Sequence, residues 1–125
     1  MAAAYVDAST IVAIVFGEPA ADAAMRRLRS FHRLVASNLL EAEVLAACAR
    51  EGVTARPPLL DAVVWVLPDR PLSQEIGRVL DAGPVRGANL WHLATALFVA
   101  SSPGELAFVT LDRQQEAAAR KLGFS

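Results

Sequence analysis

The sequence predicts a three-layer α/β/α domain, in which helices cover both faces of a short central parallel sheet. Short apolar runs alternate with longer segments of helical periodicity along the chain. That alternation is typical of a parallel sheet buried on both faces. The 125 residues predict a single domain over residues 1–125, because neither a repeat nor a linker interrupts them.

The first part of the chain is predicted to form one strand and two helices. The apolar run Ala3–Val6 is a strand that ends at Asp7. Ser9 or Thr10 then caps the first helix, since a hydroxyl accepts a hydrogen bond from an otherwise unpaired N–H group. Pro19 opens the second helix, because proline is tolerated in the first turn.

A second strand and a third helix follow. Leu34–Ala36 is a brief apolar strand, and Ser37 or Asn38 supplies the N-cap of the next helix. That helix runs to about Arg50 and stops at Gly52, because glycine readily adopts the left-handed conformation that ends helices.

The middle of the chain contains the one ambiguous element. Val63–Leu67 is apolar and β-branched and is closed by Pro68, so it is either a strand or the end of a helix. Ser73 is predicted to cap a further helix that extends to about Leu80 and ends before Gly83.

The remaining elements are a helix, a strand and a helix. Gly87 precedes the strongly apolar helix Asn89–Ala100, and the asparagine at its start suits an N-cap. Ala107–Thr110 is the last predicted strand. Asp112 caps the final helix, which stops at Gly123.

Composition narrows the class of protein. With a net charge of −1, the chain has no overall positive potential of the kind that indicates nucleic-acid binding. Cys48 is the single cysteine, so the chain has no internal disulfide and suits a reducing, cytoplasmic compartment. No run approaches the roughly 18 apolar residues of a membrane helix, so no membrane partner is expected. The apolar fraction of 54% predicts a buried partner surface in addition to a core.

Four oxygen-bearing side chains stand where strands give way to helices. Asp7 and Asp112 directly follow the first and last predicted strands, while Glu43 and Asn89 lie within the early turns of helices. Ligand sites of parallel sheets lie beyond the carboxyl ends of the strands. Carboxylates that converge there predict a Mg²⁺ or Mn²⁺ site, and Asn89 stands where a fourth carboxylate would be expected.

Each acid also has an interpretation that requires no function. Asp7 and Asp112 precede helices, whose N-termini favour aspartate. Glu43 lies in an apolar helix and needs a nearby cation, for which Arg50 is the structural alternative to a metal. Glu41 competes with Glu43 for the site, but two residues correspond to about 200° of helix rotation, so only one of them faces it.

Five blocks of the sequence share their order and spacing with one known family. They are YVDAST at Tyr5–Thr10, SNLLEAEVLAACAR at Ser37–Arg50, VWVLPDRPLSQEIGRVLDAG at Val64–Gly83, RGANLWHLATAL at Arg86–Leu97 and FVTLDRQQEAAARKLGF at Phe108–Phe124. In these blocks the chain resembles a PIN domain, and more narrowly the VapC-type ribonuclease toxins of bacterial toxin–antitoxin pairs. The resemblance covers essentially the whole chain and implies a PIN-like form of the predicted fold.

The resemblance assigns roles to the acidic positions. The family's first acid falls on Asp7, its second on Glu43 rather than Glu41, and its last on Asp112. The third is normally an aspartate just before an apolar helix, where this chain has Asn89.

The resemblance also implies supporting residues and a reaction. Ser9 and Thr110 would orient the carboxylates or bind a metal-bound water, although turn or cap duty alone explains them equally well. In the family, one or two Mg²⁺ or Mn²⁺ ions activate a water that attacks an RNA phosphodiester. Arg50, Arg86 and Arg113 flank the predicted site, where they either offset phosphate repulsion or are solvated surface charges, two equally weighted interpretations. A cognate VapB-type antitoxin and a homodimer are the implied protein partners.

Asn89 leaves more than one functional interpretation open. The first is a metal-dependent endoribonuclease toxin. The second is a catalytically weakened or inactive PIN-like domain that binds RNA or a protein partner. A receiver-like signalling domain is disfavoured, because only Asp7 is available early and the sole lysine, Lys121, lies near the end of the last helix. His92 shares a helix face with Asn89, and packing is its favoured role.

Overall fold

The computed structural model describes residues 3–100 and 102–125, so residues 1, 2 and 101 of the predicted domain lie outside the described residues. Four parallel strands form one sheet in the order β3-β2-β1-β4. They are β1 (Ala3–Val6), β2 (Arg33–Ser37), β3 (Val63–Val66) and β4 (Leu106–Val109). The ambiguous segment is therefore a strand, at one edge of the sheet.

In the part of the chain that the structure describes, six α-helices accompany the sheet. They are α1 (Ala8–Val15), α2 (Ala21–Arg29), α3 (Leu39–Arg50), α4 (Ser73–Ala82), α5 (Gly87–Val99) and α6 (Arg113–Leu122). Helix α1 packs against α2 and α3, whereas α4 packs against α5 and α6. These two groups of helices and the central parallel sheet confirm the predicted three-layer α/β/α fold. Among the described residues, none of the helices has the length and apolar character to cross a membrane.

The register of the central strand determines where the site forms. Val6 of β1 pairs with Val109 of β4, and the N–H of Asp7 donates to the carbonyl of Val109 at 3.2 Å. Asp7 and Thr110 consequently leave the sheet side by side. Strand β1 is buried from Ala4 onwards, as expected for a strand with neighbours on both sides and helices above and below.

Two of the predicted helix starts are wrong. Asp7 itself occupies the N-cap position of α1, so Ser9 and Thr10 lie inside the helix and do not cap it. Helix α2 begins at Ala21, because Pro19 belongs to the preceding turn and not to the first turn of the helix.

Two further predicted caps are displaced. Ser73 is the first residue of α4 rather than its cap, which is Leu72. Helix α5 begins at Gly87 with Arg86 as its N-cap, so Asn89 is its third residue. The interpretation of Asn89 as an N-cap is therefore wrong, and its side chain is available for another contact.

The last helix confirms its prediction at both ends. Asp112 is the N-cap of α6 and accepts a hydrogen bond from the N–H of Gln115. Gly123 ends the helix with a φ of 99°, in the left-handed region that favours glycine.

Candidate active site

Asp7 lies at the centre of the carboxyl edge of the sheet. Only 3% of it is exposed. The Ser9 hydroxyl donates to its Oδ1 atom at 2.7 Å, and the Thr110 hydroxyl donates to Oδ2 at 2.8 Å. Burial nonetheless raises the pKa of Asp7 above its ordinary value, with the two hydroxyl hydrogen bonds acting in the opposite direction. The fold thus holds a carboxylate where its charge is poorly solvated.

Ser9 and Thr110 also order the loop between β4 and α6. The N–H of Leu111 donates to the Ser9 hydroxyl, and the N–H of Asp112 donates to the Thr110 hydroxyl, both at 3.0 Å. Each hydroxyl therefore fixes the loop and orients Asp7 at the same time. Ser9 and Thr110 thus combine the two roles considered for them, the orientation of a carboxylate and a structural role in a turn.

Asp112 stands beside Asn89. Its Oδ1 atom accepts from the N–H of Gln115 at 3.0 Å, and its Oδ2 atom accepts from Nδ2 of Asn89 at 3.3 Å. The buried Gln115 side chain in turn donates to the backbone carbonyl of Asn89 at 3.4 Å. These contacts dock the start of α5 against the start of α6 and bring two of the predicted ligand positions together.

Glu43 approaches the same edge from α3. Its Oε1 atom lies 2.5 Å from Nε2 of His92, and 29% of its side chain is exposed. His92 is therefore its partner, and the alternative pairing with Arg50 is wrong. Arg50 is exposed and lines an open pocket together with Glu43 and Ser9.

Glu41 is engaged elsewhere. It forms a salt bridge with Arg56 at 2.7 Å and accepts a hydrogen bond from Asn38. These two contacts lower the pKa of Glu41. Helix α3 thus directs one glutamate to the surface network and the other to the sheet edge, as its rotation of about 100° per residue requires.

Two of the arginines predicted to contact RNA stand at helix starts. Arg86 is the N-cap of α5 and Arg113 is the first residue of α6, and both are exposed. These are the helices that carry Asn89 and Asp112, so both cations flank that side of the site.

The four predicted ligand residues carry oxygen atoms of the type that binds hard divalent cations. Carboxylate and amide oxygens are the ligands that Mg²⁺ and Mn²⁺ prefer. Within residues 3–100 and 102–125, however, no three His, Cys, Asp or Glu side chains are grouped closely enough to hold a metal ion. Asp7 and Asp112 are linked through Thr110, whereas Glu43 contacts His92. The residues fit such an ion in type and share one edge of the sheet.

The sequence predictions missed two residues that support the site, Tyr5 and Gln115, and assigned His92 to packing. Tyr5 and His92 form a buried hydrogen-bonded pair behind Glu43, and Gln115 joins α6 to α5. The available signals were weak. Tyr5 shares a strand face with Asp7, and His92 lies one turn after Asn89, but neither spacing identifies a partner on another element.

Comparison with known proteins defines the class to which this fold and site belong. The PIN domain family matches residues 4–121. The chain therefore belongs to the PIN domain family.

A curated relative is "Ribonuclease VapC46" of Mycobacterium tuberculosis (strain ATCC 25618 / H37Rv). It is 37% identical over 131 aligned residues, which span 100% of this chain and 96% of that protein. This similarity confirms the resemblance to VapC-type PIN proteins along the full chain. No solved structure matches the chain.

Proposed function

We propose that the chain is a metal-dependent endoribonuclease toxin that hydrolyses RNA phosphodiester bonds. The observation that carries this proposal is Asp7, a carboxylate buried at the sheet edge and oriented by two hydroxyls. Burying a charge is costly unless it is paired, and the raised pKa of Asp7 is the expected sign of that cost. A cation that binds there would compensate it. Membership of the PIN family and the curated ribonuclease relative support RNA as the substrate.

Four residues are proposed to hold Mg²⁺ or Mn²⁺, namely Asp7, Glu43, Asn89 and Asp112. When bound, the ion supplies a hydroxide nucleophile at neutral pH and polarises a phosphate oxygen. Ser9 and Thr110 keep both oxygens of Asp7 in fixed directions. Asn89 must turn its amide for its oxygen to become a ligand, because its nitrogen faces Asp112 in the present arrangement.

Asn89 sets the expected strength of metal binding. Compared with a carboxylate, its amide removes one negative charge from the site. One charge against one positive charge at 4 Å is worth roughly 4 kcal/mol at an effective dielectric of 20, and desolvation and screening offset much of that. We therefore propose that the chain binds its cation more weakly than an Asn89→Asp variant.

The three arginines are proposed to receive the RNA backbone. Arg50 lies beside Glu43 in the open pocket, while Arg86 and Arg113 stand at the starts of α5 and α6. Guanidinium groups pair well with phosphate oxygens. They would lower the repulsion between an acidic site and an anionic substrate, and binding should weaken as salt rises.

A paired nuclease assay tests the proposal. RNA cleavage is measured during a Mn²⁺ titration with the wild-type protein, Asn89→Asp and Asp7→Ala. We expect cleavage by the wild type, half-maximal activity at lower Mn²⁺ in Asn89→Asp, and none in Asp7→Ala. Gln74→Glu is the matched control, because it adds the same charge at an exposed position in α4. Absence of cleavage by both the wild type and Asn89→Asp would instead favour a non-catalytic PIN-like domain.

Two protein partners belong to the proposal. A cognate VapB-type antitoxin would neutralise the nuclease, and the chain would form a homodimer in the cytoplasm. Family membership and the similarity to a VapC protein support the antitoxin, while exposed apolar side chains support association. Co-expression with the antitoxin should abolish RNA cleavage by the wild type, and cleavage that persists in a purified complex would contradict this part of the proposal.

A further inference from the structure

A buried chain of hydrogen bonds ends at Glu43. The N–H of Ser37 donates to the Tyr5 hydroxyl oxygen at 3.0 Å, and that oxygen lies 2.7 Å from Nδ1 of His92. The other ring nitrogen, Nε2, lies 2.5 Å from Oε1 of Glu43. Tyr5 is 0% exposed and His92 is 1% exposed. These hydrogen bonds therefore connect the end of β2, through β1 and α5, to the part of α3 that faces the pocket.

One arrangement of protons gives every contact in this hydrogen-bonded chain a donor and an acceptor. The Tyr5 hydroxyl can accept one hydrogen bond and donate another. Because the oxygen of Tyr5 already accepts from Ser37, its own proton is available for Nδ1 of His92. In this arrangement a neutral His92 ring has its proton on Nε2 and donates a hydrogen bond to Glu43. Each of the three hydrogen bonds thus has one donor and one acceptor.

The hydrogen-bonded chain reaches the candidate site as well as the core. Helix α5 presents two side chains one turn apart, and each contacts a different acid: Asn89 contacts Asp112, and His92 contacts Glu43. The carboxylate of Glu43 faces a pocket whose lining includes the small residues Ala8, Ala46 and Ala47. Because both nitrogens of the His92 ring are hydrogen-bonded, the ring has a fixed orientation. The direction of its contact with the Glu43 carboxylate is therefore also fixed.

We propose that Tyr5 and His92 are positioning residues that hold the Glu43 carboxylate for metal binding, with Tyr5 selecting the His92 tautomer that donates to it. This inference rests on the proposed metal-dependent function. Neither residue touches the metal or the substrate. Their effect passes through Glu43, because a ligating carboxylate that is oriented beforehand loses less freedom when the ion binds.

Tyr5→Phe is the sharpest test, because it removes one oxygen and keeps the ring. We expect its Mn²⁺ affinity, measured by calorimetry without RNA, to fall by about 10-fold. Nitrogen-15 NMR should show wild-type His92 with its proton on Nε2 and a loss of that preference in Tyr5→Phe. His32, the only other histidine, is exposed and provides an internal reference.

Two histidine variants separate donation from packing. His92→Gln retains an N–H group that can reach Glu43, whereas His92→Leu retains neither polar contact. We expect His92→Gln to keep most of the Mn²⁺ affinity that His92→Leu loses. Phe108→Leu is the control for packing, since the Phe108 ring stacks on the Tyr5 ring with centroids 5.3 Å apart but contributes no hydrogen bond to the chain. It should lower the unfolding temperature and leave the Mn²⁺ affinity unchanged.

The outcomes distinguish this inference from the proposed function. If the wild type binds no Mn²⁺, the proposed function fails and the positioning role fails with it. If the wild type binds Mn²⁺ and Tyr5→Phe binds it equally well, only the positioning role is overturned. A wild-type His92 ring with its proton on Nδ1 would also overturn it, as would a loss of affinity in Phe108→Leu equal to that in Tyr5→Phe.

Discussion

Asp7 shows what the proposed site costs the fold at a single residue. Its carboxylate is buried, and its only side-chain hydrogen bonds among the described residues come from the neutral hydroxyls of Ser9 and Thr110. No described arginine or lysine forms a salt bridge with it. An ordinary structural acid at a helix start would be solvated or would cap the helix, and Asp7 accepts no side-chain cap bond in α1.

We predict that Asp7→Asn stabilises the metal-free protein near neutral pH, by on the order of 1 kcal/mol for each pKa unit of the shift. The pKa of Asp7 is raised in the folded state. Above that pKa the folded protein carries a poorly solvated charge that the unfolded chain solvates freely. Below both pKa values the carboxyl is neutral in both states and the penalty disappears. The advantage of the variant should therefore shrink as pH falls through the native pKa.

Urea unfolding across a pH series measures this effect, with Asp69→Asn as the control at an exposed position. A variant less stable than the wild type at neutral pH, or an advantage that grows as pH falls, would contradict the prediction. Saturating Mn²⁺ should reverse the order of stability, because binding to the folded state stabilises only the protein that binds.

At the scale of elements, helix α6 is capped by a residue that has both a structural role and a proposed functional role. Asp112 caps the helix through Oδ1 and contacts Asn89 through Oδ2. The sequence predicted both interpretations and could not separate them, since a capping aspartate and a ligand aspartate occupy the same position. In the structure one oxygen caps the helix and the other contacts Asn89, so the proposed ligand role would belong to the second oxygen.

We predict that two substitutions at Asp112 separate these roles. Asp112→Ala removes the cap and should lower the free energy of unfolding by about 1 kcal/mol. Asp112→Ser keeps a capping oxygen, so its loss should stay below about 0.5 kcal/mol. Both variants remove the charge, and both should lose Mn²⁺ binding and RNA cleavage. Thermal unfolding and calorimetry give the two readouts; a serine variant that binds Mn²⁺ like the wild type would contradict the ligand role.

The other elements show where sequence patterns lose their resolution. Apolar runs predicted three of the four strands outright, because a strand with helices on both faces must be apolar, while the run at Val63–Leu67 was compatible with either a strand or a helix end. Helix starts were less certain: the prediction placed Asn89 at a helix start, whereas α5 begins two residues earlier, at Gly87. That offset decides whether Asn89 caps the helix or reaches Asp112. A cap is a contact between residues that are close in the sequence. The docking of α5 on α6 joins residues from different elements, which local sequence patterns do not predict.

For the whole molecule, the sequence predicted which residues share the sheet edge but not which atoms meet there. The parallel sheet brings the ends of β1 and β4 together whatever the side chains are, so Asp7, Thr110 and Asp112 converge by topology. The contact of Glu43 with His92 depends on the rotation and crossing of two helices. Those angles are set by packing over the entire core, which residue spacing does not encode.

The apolar surplus of the chain leads to a prediction about assembly. Ala42, Leu45 and Ala49 lie at helical spacing on α3, and all three are exposed. Leu45 is 37% exposed. This stripe is separated from Glu43 by the rotation of the helix, so a partner on it would leave the acidic edge accessible. Small residues around one leucine would allow a second copy of the helix to approach closely, which suits a twofold contact between identical helices.

We predict that Leu45→Glu weakens a homodimer by roughly 10- to 100-fold, because burying a leucine contributes about 1.5–3 kcal/mol and a glutamate in its place would be desolvated against its own symmetry mate. Sedimentation equilibrium measures the dissociation constant. Leu80→Glu is the matched control, since Leu80 is 48% exposed on α4 and receives the same change. Circular dichroism should show both variants folded. If the wild type sediments as a monomer at every concentration, or if Leu80→Glu dissociates the dimer as strongly as Leu45→Glu, α3 does not form the interface and the apolar stripe requires another explanation.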